Sequence, residues 1–178
     1  MTGTVGFKSS RTDLEFANLK GDLDLDSGDL RASDITGPVR LITRSKDIRL
    51  DGVNGDVRVK DENGTVELRM LKIGSVDVDN RKGDVELYLP EKAAFQIDAR
   101  ARNGEVQSDF NELNVSNQND TGTATGSIGS NGPRISINNE HGTIDIRKGS
   151  MTSEMPETPP APKISKPKIP APPQPTDN

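Results

Sequence analysis

The chain has 178 residues, is only 30% hydrophobic, and carries 17 glycines, 12 prolines and no cysteine, a composition that excludes a thick globular core, disulfides, thiolate metal sites and cysteine redox chemistry. Its formal charge of −5 is mixed in sign with no basic stripe, so no nucleic acid is expected as a partner. There is no run of about 20 apolar residues and no basic leader followed by an apolar stretch, which predicts no membrane insertion by this chain and shows no export signal.

In chain order, Gly3-Thr4-Val5-Gly6-Phe7 already has the form of a strand-and-turn unit. A stack of such units needs an atypical cap on its open edge, so this early start predicts that the chain is N-terminally truncated. The acidic group Asp22, Asp24, Asp26 and Asp29 follows. Glycines or their equivalents then fall at Gly28, Gly37, Lys46, Gly55, Gly64, Gly74 and Gly83, spaced by nine with a single ten. Apolar residues alternate after them, as in Val39/Leu41, Ile48/Leu50, Val57/Val59, Val66/Leu68, Val76/Val78 and Val85/Leu87, with Leu23/Leu25 ahead of them. Period-two alternation of this kind marks strands with one buried face. The intervening Asp24, Arg40, Arg49, Arg58, Glu67, Asp77 and Glu86 are expected to face water.

The links between strands are Asn54-Gly55, Asn63-Gly64, Lys82-Gly83, Asn103-Gly104 and Asn131-Gly132, pairs that tolerate the positive φ of a tight corner. The constant phase of glycine predicts an all-β β-solenoid (β-helix) of stacked strand-turn units of about nine residues, about 18 residues per circuit if two strands make one. Because the same dipeptides favour hairpins, an antiparallel β-meander or barrel is the alternative. The regular core spans residues 21–89. Beyond it, residues 94–102 and 104–110 read as strands, 111–130 as a long loop or irregular strand, and 134–138 and 142–147 as a closing pair. The domain is therefore placed at residues 1–150.

From Met151 the composition changes: nine of the twelve prolines lie between Pro156 and Pro175, interleaved with Lys163, Lys166 and Lys168. Residues 151–178 are expected to be a disordered Pro-rich tail, an extended spacer or tether.

The runs Gly55-Asp56-Val57-Arg58-Val59, Asn63-Gly64-Thr65-Val66-Glu67-Leu68, Gly83-Asp84-Val85-Glu86-Leu87, Asn103-Gly104-Glu105-Val106 and Gly142-Thr143-Ile144-Asp145-Ile146 resemble the bacterial putative-adhesin family of β-strand-repeat domains, a domain of unknown function. The likeness covers residues 3–148. It implies a β-helical fold, a place at the cell envelope or outside the cell, and a role in adhesion or surface scaffolding. It carries no catalytic residues over.

Among candidate sites, Asp22, Asp24, Asp26 and Asp29 offer hard oxygen ligands for calcium, but the Gly-Gly-x-Gly-x-Asp motif of calcium-binding repeats is absent and a solvated strand face explains them. Arg31, Arg40, Arg49 and Arg58 share one phase, and Arg40 and Arg58 are the residues chosen as ligands for an anionic glycan. Glu67, Asp77 and Glu86 follow at that phase, so cross-strand ion pairing accounts for the row without a ligand. Asp77, Asp79 and Asp84 supply carboxylates that recur in every unit, and His141 sits in a corner, so no catalytic constellation is marked. Phe95 and Phe110 are expected to fill the core or plug a circuit end.

The sequence thus predicts a non-enzymatic, envelope-associated repeat domain with no cofactor, whose partners are envelope proteins or surface polysaccharide. A binding module for anionic or calcium-bridged polysaccharide is the second reading, and a polysaccharide-acting β-helix enzyme the third.

Overall fold

The computed structural model describes residues 5–8, 12–19, 23–25, 29–44 and 47–149, with side chains from Asp29 onward. Among them there are fourteen strands. They are β1 (Val5–Lys8), β2 (Thr12–Leu19), β3 (Leu23–Leu25), β4 (Asp29–Ser33), β5 (Ile35–Thr43), β6 (Asp47–Asp61), β7 (Val66–Lys82) and β8 (Val85–Leu89), then β9 (Phe95–Arg102), β10 (Val106–Ser108), β11 (Asn114–Gln118), β12 (Thr121–Ile128), β13 (Arg134–His141) and β14 (Ile144–Lys148). Gly28, Lys46 and the proline-rich residues 151–178 lie outside the described residues. Among the described residues no helix is long and apolar enough to cross a membrane.

Alternation in the sequence becomes alternation in burial. In β6, Ile48, Leu50, Val57 and Val59 point inward while Arg49, Arg58 and Lys60 are exposed. β6 and β7 are long enough to turn a corner, so each contributes to two walls. The first wall contains β4, residues 47–51 of β6, residues 66–69 of β7, β8, β14 and β10, all parallel. The second contains β5, residues 54–61 of β6, residues 72–82 of β7, β13 and β9, also parallel. Ile48 is the register partner of Val66 and Val57 that of Val76, so each strand segment pairs with the one two repeat units later, a full circuit on. Successive units therefore alternate between walls rather than pairing with one another.

Parallel register stacks like on like. The first wall carries the inward column Leu30, Ile48, Val66, Val85, Ile144 and Val106. The second wall answers with Leu41, Val59, Val78, Ile137 and Ala99, and Ala124 on β12, antiparallel to β9, extends the column. All of these are buried, and each fully buried Val, Leu or Ile among them is worth about 1.5–3 kcal/mol of transfer free energy. A further inward column on the second wall is different in kind: Thr43, Asp61, Asn80 and Asn139 are polar and at most 2% exposed.

The glycine phase has a steric cause. At the corner leading from the second wall to the first, a methyl on Gly83 would collide with the Gly64 carbonyl, one on Gly142 with the Gly83 carbonyl, and one on Gly104 with the Gly142 carbonyl. At the opposite corner, Gly55 lies against Gly37 and Gly74 against Gly55. Corners nest directly on one another, leaving no room for a Cβ. The aspartate beside the corner also has a task, because the Oδ1 atoms of Asp47, Asp56 and Asp84 each accept a bond of 2.8 Å from the next circuit's corner N–H, at Thr65, Ser75 and Thr143. The one longer glycine spacing, between Gly64 and Gly74, coincides with register irregularities between β6 and β7, and there Leu71 is pushed out to 38% exposure.

Three features depart from the sequence reading. First, the N-terminal units run antiparallel: β1 pairs with β2, β2 with β5, and β3 with β4. The parallel register therefore starts at β4, not at residue 21. Second, residues 111–130 contain an antiparallel hairpin, β11–β12, with β12 against β9. Its two-residue turn uses Asn119 and Asp120 at φ 48° and 59°, conformations these two side chains tolerate. Third, spatial order and chain order diverge, because β13 lies between β7 and β9, and β14 lies between β8 and β10.

Candidate functional site

The strand faces place their outward side chains in rows, and the sequence-selected residues divide between two such rows. Arg31 and Arg49 are register partners on the first wall, and Arg40 and Arg58 on the second. Most of their charge is already engaged. Arg31 pairs with Asp29 at 3.0 Å, Arg49 with Asp51 at 3.2 Å and Glu67 at 3.4 Å, and Arg58 with Asp77 at 3.3 Å. Arg40 stands in register with Glu15, whose side chain lies outside the described residues. Arg49–Glu67 and Arg58–Asp77 are cross-strand pairs, while Arg31–Asp29 and Arg49–Asp51 lie within one strand, each such pair contributing about 0–1 kcal/mol.

Of the proposed calcium ligands, Asp22 and Asp26 lie outside the described residues, and Asp24 is described only as a backbone position opposite Arg31. Asp29 carries an arginine partner. Among the described residues, no three His, Asp or Glu side chains are grouped to hold a metal ion. The carboxylates weighed for catalysis do not converge: Asp77 pairs with Arg58, Asp79 with Lys60 at 3.5 Å, and Asp84 bonds the Thr143 N–H at a corner. His141 is exposed at the end of β13, where its carbonyl accepts the Gly83 N–H. Phe95 and Phe110 are buried and meet edge to face with centroids 5.3 Å apart, filling the core near β9 and β10 as the sequence suggests.

Another polar network, among the described residues, is one the sequence reading did not single out. On the first wall, Glu67, Glu86 and Asp145 occupy adjacent positions of one row. Arg69 Nε donates to Glu67 Oε1 at 2.8 Å and approaches Asp51 at 3.3 Å, while its guanidinium lies 4.5 Å from the centre of the Tyr88 ring. Tyr88 donates its hydroxyl to Glu86 Oε2 at 2.9 Å. Hydrogen bonding to Glu67 pushes the Arg69 guanidinium further into its charged form. Burial, then the bond to Glu86, raises the Tyr88 phenol. The available signal was phase: Glu86 stands one circuit after Glu67, and Tyr88 one circuit after Arg69. An open cleft of about 190 Å³ adjoins this network, lined by Asp29, Arg31, Asp47, Arg49, Thr65 and Glu67 among others.

Two parallel walls of stacked strands with ion-pair rows outside and aliphatic columns inside define a strand-repeat protein. Residues 1–147 match the family model described as Toastrack DUF4097, and the chain belongs to that family, a domain of unknown function. No curated protein matches the chain. Among solved structures it is similar to one described as a "putative cell adhesion protein" from Clostridium sporogenes, at 15% sequence identity and a TM-score of 0.46, over 81% of this chain and 85% of that one.

Proposed function

We propose that the chain is a non-enzymatic β-solenoid scaffold of the cell envelope, presenting two flat ladders of charged side chains to envelope partners. The observation that carries this reading is where the polar chemistry goes. Arginines and acids are spent on cross-strand pairs, and corner aspartates on backbone N–H groups of the next circuit. A surface organised in this way is stiff and repetitive, which suits many weak contacts rather than one reaction centre. The solenoid description itself rests on the parallel register that pairs each segment with the one a circuit later, and the envelope placement on the repeat resemblance read from the sequence.

Crosslinking in cells is the test. Recovery of envelope proteins on the chain, without turnover of pectin-like or alginate-like polymers, supports the scaffold. Polymer cleavage lost on substituting one carboxylate overturns it.

One observation favours a second reading, an anionic-polysaccharide module. Arg40 and Arg58 are adjacent in register on the second wall, with Lys60 beside Arg58 on the same strand. Glycan-array binding that disappears in an Arg40→Ala, Arg58→Ala double variant supports this reading, and calcium dependence would point to a bridged ligand.

A further inference from the structure

Two asparagines of the inward polar column on the second wall share one arrangement, with Nδ2 turned to glycine-corner carbonyls and Oδ1 buried without a hydrogen bond. Asn80 donates Nδ2–H to the Gly83 carbonyl at 3.3 Å, and to that of Gly64 in the neighbouring corner at 3.2 Å. Asn139, its register partner, donates to Gly83 at 2.8 Å. Buried amides therefore satisfy the carbonyls of nested glycine corners. Asp61 occupies the same column, just ahead of the Gly64 corner, with only 2% exposure. Both of its carboxyl oxygens are buried without a well-formed hydrogen bond. An ionised carboxylate has nothing to donate to a carbonyl, whereas a neutral carboxyl offers one O–H.

We propose that Asp61 is a proton-operated rung of this ladder: neutral, it rests in the wall's interior, and ionised, it places an uncompensated charge there that loosens the adjoining corner at residues 62–65. Its surroundings favour the neutral form. The adjacent rungs, Thr43 on β5 and Asn80 on β7, are uncharged. Asp47 at the start of β6 and Glu62 beside it are the charged groups acting on it, both acidic, and the backbone N–H groups of Asn63 and Glu62 offset this only in part. Burial first, then those acids, raise the carboxyl from 3.8 to about 6. The folded chain thus holds this proton more tightly than the unfolded chain. Its stabilising contribution is complete below pH 3.8 and is lost as pH rises through about 6. The corner concerned supports the first wall, since Gly64 N–H bonds the Lys82 carbonyl at 2.9 Å and Thr65 N–H bonds Asp47 at 2.8 Å.

The test compares the wild-type chain with Asp61→Asn, which keeps an amide donor at every pH. Between pH 3.5 and 8 the wild-type folding constant should fall on the order of a hundredfold relative to the variant. The Asp61 carboxyl followed by carbon-13 NMR in the wild-type chain should titrate near 6. Amide protection at Gly64 and Thr65, corrected for intrinsic exchange, should decline over the same range in the wild type alone. Parallel stability profiles for the two chains, or a carboxyl titrating near 4, would overturn the proposal. So would a wild-type stability that follows added sodium or calcium at fixed pH, because the carboxylate would then be holding a cation.

Discussion

Residues 29–89 and residues 95–148 build the same two walls by different routes. In the first region each circuit lies beside its predecessor, every strand pairing with the segment one circuit away in the chain. In the second, the chain advances past an empty level, lays down β9 and β10, turns back through the β11–β12 hairpin, and returns to fill the gap with β13 and β14. Ile135 thereby pairs with Val76 although the whole of β8 to β12 separates them in the chain. The first region is specified by local spacing. The second is specified by complementarity, because the gap admits only a segment whose inward side chains continue the columns, as Ile135, Ile137, Ile144 and Ile146 do. At the C-terminal end of the stack, Asn117 bonds both backbone groups of Val106, its Oδ1 accepting from the N–H at 2.9 Å and its Nδ2 donating to the carbonyl at 3.1 Å. A side-chain amide here takes the place of another strand.

Substitutions can break this comparison at graded cost. Gly83 lies where the regions meet, with φ 117° and the Gly64 carbonyl where a methyl would go. Gly83→Ala should cost about 4 kcal/mol, combining backbone strain with overpacking, measured by urea unfolding. Next come paired cavity variants, Leu50→Ala in the regular region and Ile137→Ala in the returning strand, both at 0% exposure. Each should cost about 3 kcal/mol within a single cooperative transition. Two separate transitions would show instead that the regions fold independently. Asn117→Ala removes two hydrogen bonds and should cost about 1–2 kcal/mol, with amide protection at Val106 falling first. Arg58→Ala breaks one exposed ion pair and should shift stability by less than about 1 kcal/mol, with the difference vanishing at high salt.

The regular region was largely legible because its physics is local. Glycine recurs where corners nest, and aliphatic residues alternate where a wall has one dry face, so the positions of Ile48, Val57 and Val66 announce their strands. The hairpin was not legible. β11 is exposed throughout with Val115 as its only apolar residue, and β12 turns inward with Gly122 and Ala124, too small to register as a hydrophobic pattern. The return of β13 into the gap leaves no mark in spacing either, since Gly142 repeats the corner glycine without saying which corner it joins. At the candidate site, the arginine phase foretold two cross-strand pairs, Arg49 with Glu67 and Arg58 with Asp77, but not the same-strand pairing of Arg31 with Asp29. The network around Tyr88 requires knowing that residues one circuit apart are neighbours. Asp61 looks like any polar residue before an Asn-Gly corner, and only its register with Thr43 and Asn80 places it inside.

Strand order in the second wall is the central structural claim, and the absence of native cysteine allows it to be probed directly. Outward positions Asp77, Ser136 and Asp98 lie in one row on β7, β13 and β9. Cysteine pairs at 77/136 and 136/98 should each form a disulfide under mild oxidation, while the 77/98 pair, separated by an intervening strand, should not. Efficient crosslinking of 77 to 98 with none through 136 would contradict the account, because it would place β9 directly on β7 and leave the final circuit outside the stack.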